Sequence, residues 1–171
     1  MFLYNSTHRV VVCRTCKSCI IPGRRSQERH LRARPHQLSG SVLKETVQLL
    51  SSYDLRTLAE LREYKPRPGD KCQLVEHLAS YSGFSCLQPQ CSYCTRDLGE
   101  MKKHVASIHK TKAAEHKGES ALWDECQLQT YFTRKGRIDY FVVVVVAAAA
   151  AAAAANPQEA KGRSRHAQDY N

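Results

Sequence analysis

Eight side chains of two kinds fall into two groups with the spacing of metal ligands. Two residues separate Cys13 from Cys16, thirteen separate Cys16 from His30 and five separate His30 from His36, giving C-x2-C-x13-H-x5-H. Cys86 and Cys91 are followed by His104 and His109 as C-x4-C-x12-H-x4-H. A close Cys pair directs two thiolates at one ion, and two histidines from a following helix complete a tetrahedron. Two groups with one grammar make chance spacing a poor explanation. The second lies inside the usual range for a Cys2His2 finger, and the first has a linker one residue longer than the common length of about twelve.

Each group has a further cysteine three residues on, Cys19 and Cys94, so Cys16/Cys19 and Cys91/Cys94 are alternative pairs. They shorten the loop to the first histidine to ten and nine residues. The outer pairs, with loops nearer twelve, are preferred, which leaves Cys19 and Cys94 as small buried hydrophobes. Cys72, Cys126, His8, His77, His116 and His166 have no ligand-spaced neighbours and read as packing or surface residues. Four protein ligands per ion leave no position for a reacting water, so two structural Zn2+ ions are expected and not a catalytic one. No G-x-S-x-G, H-E-x-x-H or phosphate loop is found in the sequence, and the expectation is a protein that is not an enzyme and has no small-molecule substrate.

The elements that must hold these ligands follow from pattern. Val10-Val11-Val12 ahead of Cys13 is a strand, Pro22-Gly23 a turn, and Arg24 to about Arg34 a short helix stopped by Pro35. Val42, Leu43, Val47 and Leu50 recur at helical spacing, and Asp54 is placed to cap a second helix carrying Leu55, Leu58 and Leu61. Residues 74–86 lead as strand or hairpin into the second group, and Leu98 to His109 forms a helix with Met101, Val105 and Ile108 on one side. Phe84 and Met101 occupy finger core positions; Thr95 stands where an aromatic is usual, with Tyr93 the candidate to replace it. Residues 123–146, rich in aromatic and β-branched types, read as extended structure or a helix–strand mix. Five valines and nine alanines then form a tract that, with Phe141, is too short to span a bilayer, which takes about twenty residues; polyalanine helix or disordered tail is expected.

The fold class expected is therefore small α+β: two separated ββα-like Cys2His2 modules at 1–40 and 72–118, a helical spacer at 41–71, an aromatic segment at 119–146 and a low-complexity tail at 147–171. No secretory leader is read at the start, which favours an intracellular, nuclear location with reduced thiols and no membrane.

The charge distribution reads either as a solvated basic surface with no specific partner or as a surface for an anionic one. Residues 1–40 hold eight Lys/Arg against one Asp/Glu, and residues 101–118 hold five against one, whereas 41–100 hold seven against eight and the remainder six against six. The positive charge lies over the two Cys/His groups, and nucleic-acid phosphate is the default partner. Arg24, Arg25, Arg29, Arg32 and Arg34, with Lys102, Lys103, Lys110 and Lys112, are the candidate contacts. Base reading is disfavoured: the usual helix positions hold Gly23, Ser26 and Arg29 in one finger and Asp97, Glu100 and Lys103 in the other, and 49 residues separate His36 from Cys86, too many for a tandem array. The alternative is a protein–protein adaptor using the leucine helices of 42–61 and the aromatic segment 123–143.

The stretches Tyr4-Asn5, His8-Arg-Val-Val-Val-Cys13, Cys16…His30-Leu31…His36-Gln-Leu38, Tyr81-Ser-Gly-Phe-Ser-Cys86 and Cys91-Ser-Tyr93…Met101-Lys-Lys-His104…His109 carry a resemblance, continued by Trp123…Leu128-Gln-Thr-Tyr-Phe132…Tyr140-Phe141-Val-Val. They resemble a fungal family named after orsellinic acid biosynthesis cluster protein D. The resemblance implies the two-site plan and the outer ligand pairs, and implies no reaction. The chain departs from it after Val143, where the Val/Ala repeat begins.

Overall fold

The computed structural model describes residues 1–70, 72–112, 114, 116–117 and 121–144. The low-complexity tail and His166 lie outside the described residues.

Among the described residues there are two small sheets, and in each the hairpin that holds the cysteine pair leads into the helix that carries a ligand histidine. Strands β1 (Phe2–Asn5), β2 (Val10–Cys13) and β3 (Ser18–Cys19) form an antiparallel sheet in that order, and α1 (Arg24–Arg32) follows. All four residues of β2 are buried, as expected of a β-branched run between two neighbours. Helix α1 ends with the Ala33 N–H bonded to the Arg29 carbonyl, two residues short of the expected end. Gly23 begins it with φ 97°, a conformation that favours glycine. Then come α2 (Gly40–Ser52) and α3 (Leu58–Glu63). The cap of α3 is Thr57 and not Asp54: the Thr57 hydroxyl accepts the Glu60 N–H while the Glu60 carboxylate accepts the Thr57 N–H, a reciprocal capping box. Asp54 instead pairs with Arg9 across the first sheet, and its carbonyl accepts the Tyr4 hydroxyl.

The second sheet joins β4 (Ser80–Cys86), β5 (Cys94–Thr95), β6 (Trp123–Thr130) and β7 (Tyr140–Val143) in the order β5-β4-β6-β7, all antiparallel. Helix α4 (Leu98–Ile108) follows β5. Residues 123–130 and 140–143 are thus extended, and β4 pairs with β6 along the whole of its length, from Ser80↔Gln129 to Cys86↔Trp123. Gly83 permits this close assembly: a Cβ there would stand 2.4 Å from Leu128 Cδ1 and 2.6 Å from the Thr95 carbonyl oxygen. Ahead of β4 the chain is loop and not strand. Buried Gln129 holds that loop, accepting from the Val75 N–H at 2.8 Å and donating to the Val75 and Leu78 carbonyls.

Three apolar clusters result. The first gathers Val11, Cys13, Ile20 and Leu31 under Leu43, Val47 and Leu50 of α2. The second, around the other Cys/His group, holds Cys86, Met101, Val105, Leu122 and Trp123. The third joins the halves, with Val10, Val12 and Cys19 of the first sheet on Tyr131, Phe132, Phe141 and Val143 of the second. The Cys19 N–H donates to the Tyr131 carbonyl at 2.7 Å and the Ala79 N–H to the Lys17 carbonyl at 3.1 Å across the same seam. The leucines and aromatics that would have offered an adaptor surface are largely core. Val42 and Ile108, expected on apolar faces, are instead exposed, at 55% and 63%.

Candidate metal centres

Each group sits where a β-hairpin meets a helix. Cys13 ends β2, Cys16 lies in the turn to β3, and the Cys16 N–H points back at Cys13 Sγ, 3.4 Å away. His30 is on the last turns of α1. His36 lies beyond the helix, in the turn after Pro35, where the His36 and Gln37 N–H groups both donate to the Ala33 carbonyl. In the second group Cys86 ends β4, Cys91 lies in the loop to β5, His104 is inside α4 and His109 is its C-cap. The N-terminus of α4 is capped by the Asp97 carboxylate, which accepts the Glu100 N–H at 2.9 Å.

Both quartets fit a tetrahedral ion. Bonds of about 2.3 Å to sulfur and 2.0–2.1 Å to nitrogen put tetrahedral ligand atoms roughly 3.3–3.8 Å apart. In the first group His36 Nε2 lies 3.3 Å from both Cys13 Sγ and Cys16 Sγ, and His30 Nε2 4.0 Å from Cys16 Sγ. In the second, Cys86 Sγ to His109 Nε2 is 3.5 Å, Cys91 Sγ to His104 Nε2 is 3.2 Å, and the two Nε2 atoms are 3.1 Å apart. Within each quartet all ligand atoms lie within 4.8 Å of one another. These are the outer pairs. Cys19 is instead buried in the seam between the sheets, and Cys94 is half-buried in β5 with its thiol toward the Ser92 carbonyl.

The electrostatics suit a cation. Burial, then the neighbouring Cys13, pushes the Cys16 thiol up to about 11, and burial leads the causes that raise Cys86 to about 11. Burial lowers His30, His36 and His104, with His36 and His109 adding repulsion at the first and last of these. Neutral imidazoles are ready ligands, and metal binding would draw the proton from the Cys16 and Cys86 thiols that burial otherwise keeps protonated. Around the second quartet Tyr93 stacks on His104 with ring centroids 4.0 Å apart, filling the place Thr95 leaves open.

The remaining sequence candidates divide sharply. On α1, Arg24, Arg25, Arg29 and Arg32 face solvent, opposite buried Gln27 and Leu31. Their one acidic neighbour is Glu28, which pairs with Arg24 at 3.0 Å and meets Arg32 at 3.9 Å. On α4 Lys102 and Lys103 are exposed, as is Lys110 just beyond its end, but Lys103 is bound to Glu100 at 2.7 Å. His8 turns inward, its Nδ1 2.7 Å from the Tyr131 hydroxyl, and His116 stacks on Trp123 and accepts the Leu122 N–H. Sequence reasoning passed over Arg134, which the loop between β6 and β7 brings beside α1 and Cys16.

The sequence profile of the family described as orsellinic acid/F9775 biosynthesis cluster protein D matches residues 1–110. The chain belongs to this family. Neither a curated protein nor a solved structure matches it. The match to the orsellinic acid cluster protein D family takes in all eight ligand residues and ends two residues beyond α4, before β6 and β7 complete the second sheet. Among the described residues no helix is long and apolar enough to cross a membrane.

Proposed function

We propose that the protein is a non-enzymatic zinc-finger protein that binds nucleic acid through the basic face of its first module. The single observation behind this reading is the arginine stripe of α1, which lies on the same helix as His30 and points away from the core. Zinc is the ion of choice for two thiolates and two imidazoles in a tetrahedron. In this role the metal fixes the hairpin–helix corner, and the helix presents guanidinium groups to phosphate. Arg24, Arg25, Arg29 and Arg32 make the main contacts, with Lys102, Lys103 and Lys110 lesser ones. Contacts of this type carry affinity without much sequence preference. The acidic start of α4, with Asp97 as cap and Glu100 in its first turn, argues against base reading by the second finger. A nuclear location goes with this role, and imaging of the tagged protein tests it.

The deciding experiment pairs elemental analysis with gel shifts of the zinc-loaded protein across a salt series. Two zinc ions per chain are expected, with affinity for duplex DNA or RNA that falls steeply as salt rises. Binding indifferent to salt, or none at low salt, would falsify the phosphate role.

A further inference from the structure

Beside the first metal centre a cavity of about 340 Å³ opens between β3, α1 and the loop after β6. That volume lies within the range of small-ligand sites, roughly 300–1,000 Å³. Two arginines line it from different elements, Arg29 of α1 and Arg134 of the β6–β7 loop. Among the described residues no carboxylate lines it, and neither arginine is ion-paired. Two arginines with no acidic partner lining one hollow favour an anionic occupant. Hydroxyls of Ser18, Ser26 and Thr133 add donors at the same wall. The lining also has an apolar part, Ile21 packed against the core cluster that holds Phe132, itself only 9% exposed and so fixed in place. A lining that joins cationic groups to a fixed aromatic and aliphatic part has the chemistry of a nucleotide seat.

We propose that this cavity holds one nucleotide, its phosphate on Arg29 and Arg134 and its base on the apolar part of the lining, Phe132 and Ile21. The nucleotide is either free or the 5′-phosphorylated end of a strand. The site goes beyond the basic-face reading, because Arg134, Phe132 and Thr133 belong to the second sheet and its loop. Cys16 and His30 form part of the same wall, so an occupant lies against the metal centre. Filling the seat is therefore expected to perturb the absorption of a cobalt-substituted first site.

Calorimetry on the zinc-loaded full chain tests the assignment with adenosine monophosphate, adenosine, and a short oligothymidylate with and without a 5′-phosphate. Adenosine monophosphate or the phosphorylated strand is expected to bind at least about tenfold more tightly than its unphosphorylated counterpart. Binding of the mononucleotide alone assigns a free ligand; binding of the strand alone assigns a strand end. Arg134→Ala is expected to lose about tenfold, Arg134→Lys less, and Lys44→Ala, exposed on α2 outside the cavity, under about twofold. Arg134 is exposed, and zinc content with circular dichroism verifies that its variants are folded. Equal affinity for adenosine and its monophosphate, no binding of any phosphorylated probe, or an indifferent Arg134→Ala overturns the proposal. A gel shift lost with nucleotide binding intact removes the basic-face reading and leaves the seat standing.

Discussion

At the first Cys2His2 group the helix that supplies His30 turns four arginines to solvent, while at the second the helix that supplies His104 opens on Asp97 and Glu100 and ties Lys103 to the latter. The buried sides differ as well. Cys13 is fully buried under a second helix, α2, and the strand it ends also borders the seam between the sheets. Cys86 belongs to a smaller cluster whose other members come from α4 and the start of β6. One ligand pattern thus serves two settings. The quartet fixes a hairpin–helix corner, and what that corner does depends on charge and neighbours that ligand spacing leaves open.

Metal removal should separate the two most strongly, since structural zinc in finger peptides is worth about 10–16 kcal/mol of apparent binding energy. Cys13→Ser is expected to remove hydrogen-exchange protection from α1 and α2 and to reach across the seam into β7. Cys86→Ser should confine the loss to α4 and its flanking loops. Equal spread from both variants would undo the contrast. Next in size are Leu31→Ala and Met101→Ala, both truncating fully buried side chains at about 2–5 kcal/mol. Leu31, wedged beneath α2, should stand at the upper end in urea unfolding.

Charge gives the third test. Replacing Arg24, Arg25, Arg29 and Arg32 with alanine should weaken nucleic-acid binding at least tenfold, about 1.4 kcal/mol, and flatten its salt dependence. Replacing Lys102, Lys103 and Lys110 should cost under about threefold, because Lys103 is already neutralised by Glu100. Asp97→Ala should cost about 1 kcal/mol through the lost cap on α4. Helix α1, begun by Gly23 without a side-chain cap, has no equivalent to lose.

The smallest effect is a pH dependence at the seam. Burial, and then the charge of Arg56, lowers His8 below its ordinary 6.5. Below that value the unfolded chain takes up a proton that the folded chain resists. The contribution is whole above pH 6.5 and is lost as pH falls through the lower, folded value. Stability of the wild type measured against His8→Gln should therefore decline as pH falls below 6.5, and a constant difference would remove His8 as the cause.

The ligand quartets were legible because they are local: each spans one hairpin and one helix, and spacing alone limits which atoms can meet. The partnership of β4 with β6 was not, since nothing in either strand names a neighbour some forty residues away. Periodicity identified the buried face of α2 without revealing that it roofs the first metal centre. At α3 the residue nearest the leucine run, Asp54, drew the cap assignment, although Thr57-Leu-Ala-Glu60 spells a capping box. Ile108 fits the apolar stripe of α4, but the finger is too small to cover its last turn. Arg134 belongs to no motif and gains meaning only when the second sheet sets its loop beside α1.

The family match stops at residue 110, but seven residues of β4 rely on β6 for their backbone partners. A polypeptide cut after Lys110 would keep every thiol and imidazole needed for both ions. It would also present a raw strand border and an uncovered valine surface, which invites self-association. The shortest piece that chelates is therefore shorter than the shortest piece that stays in solution.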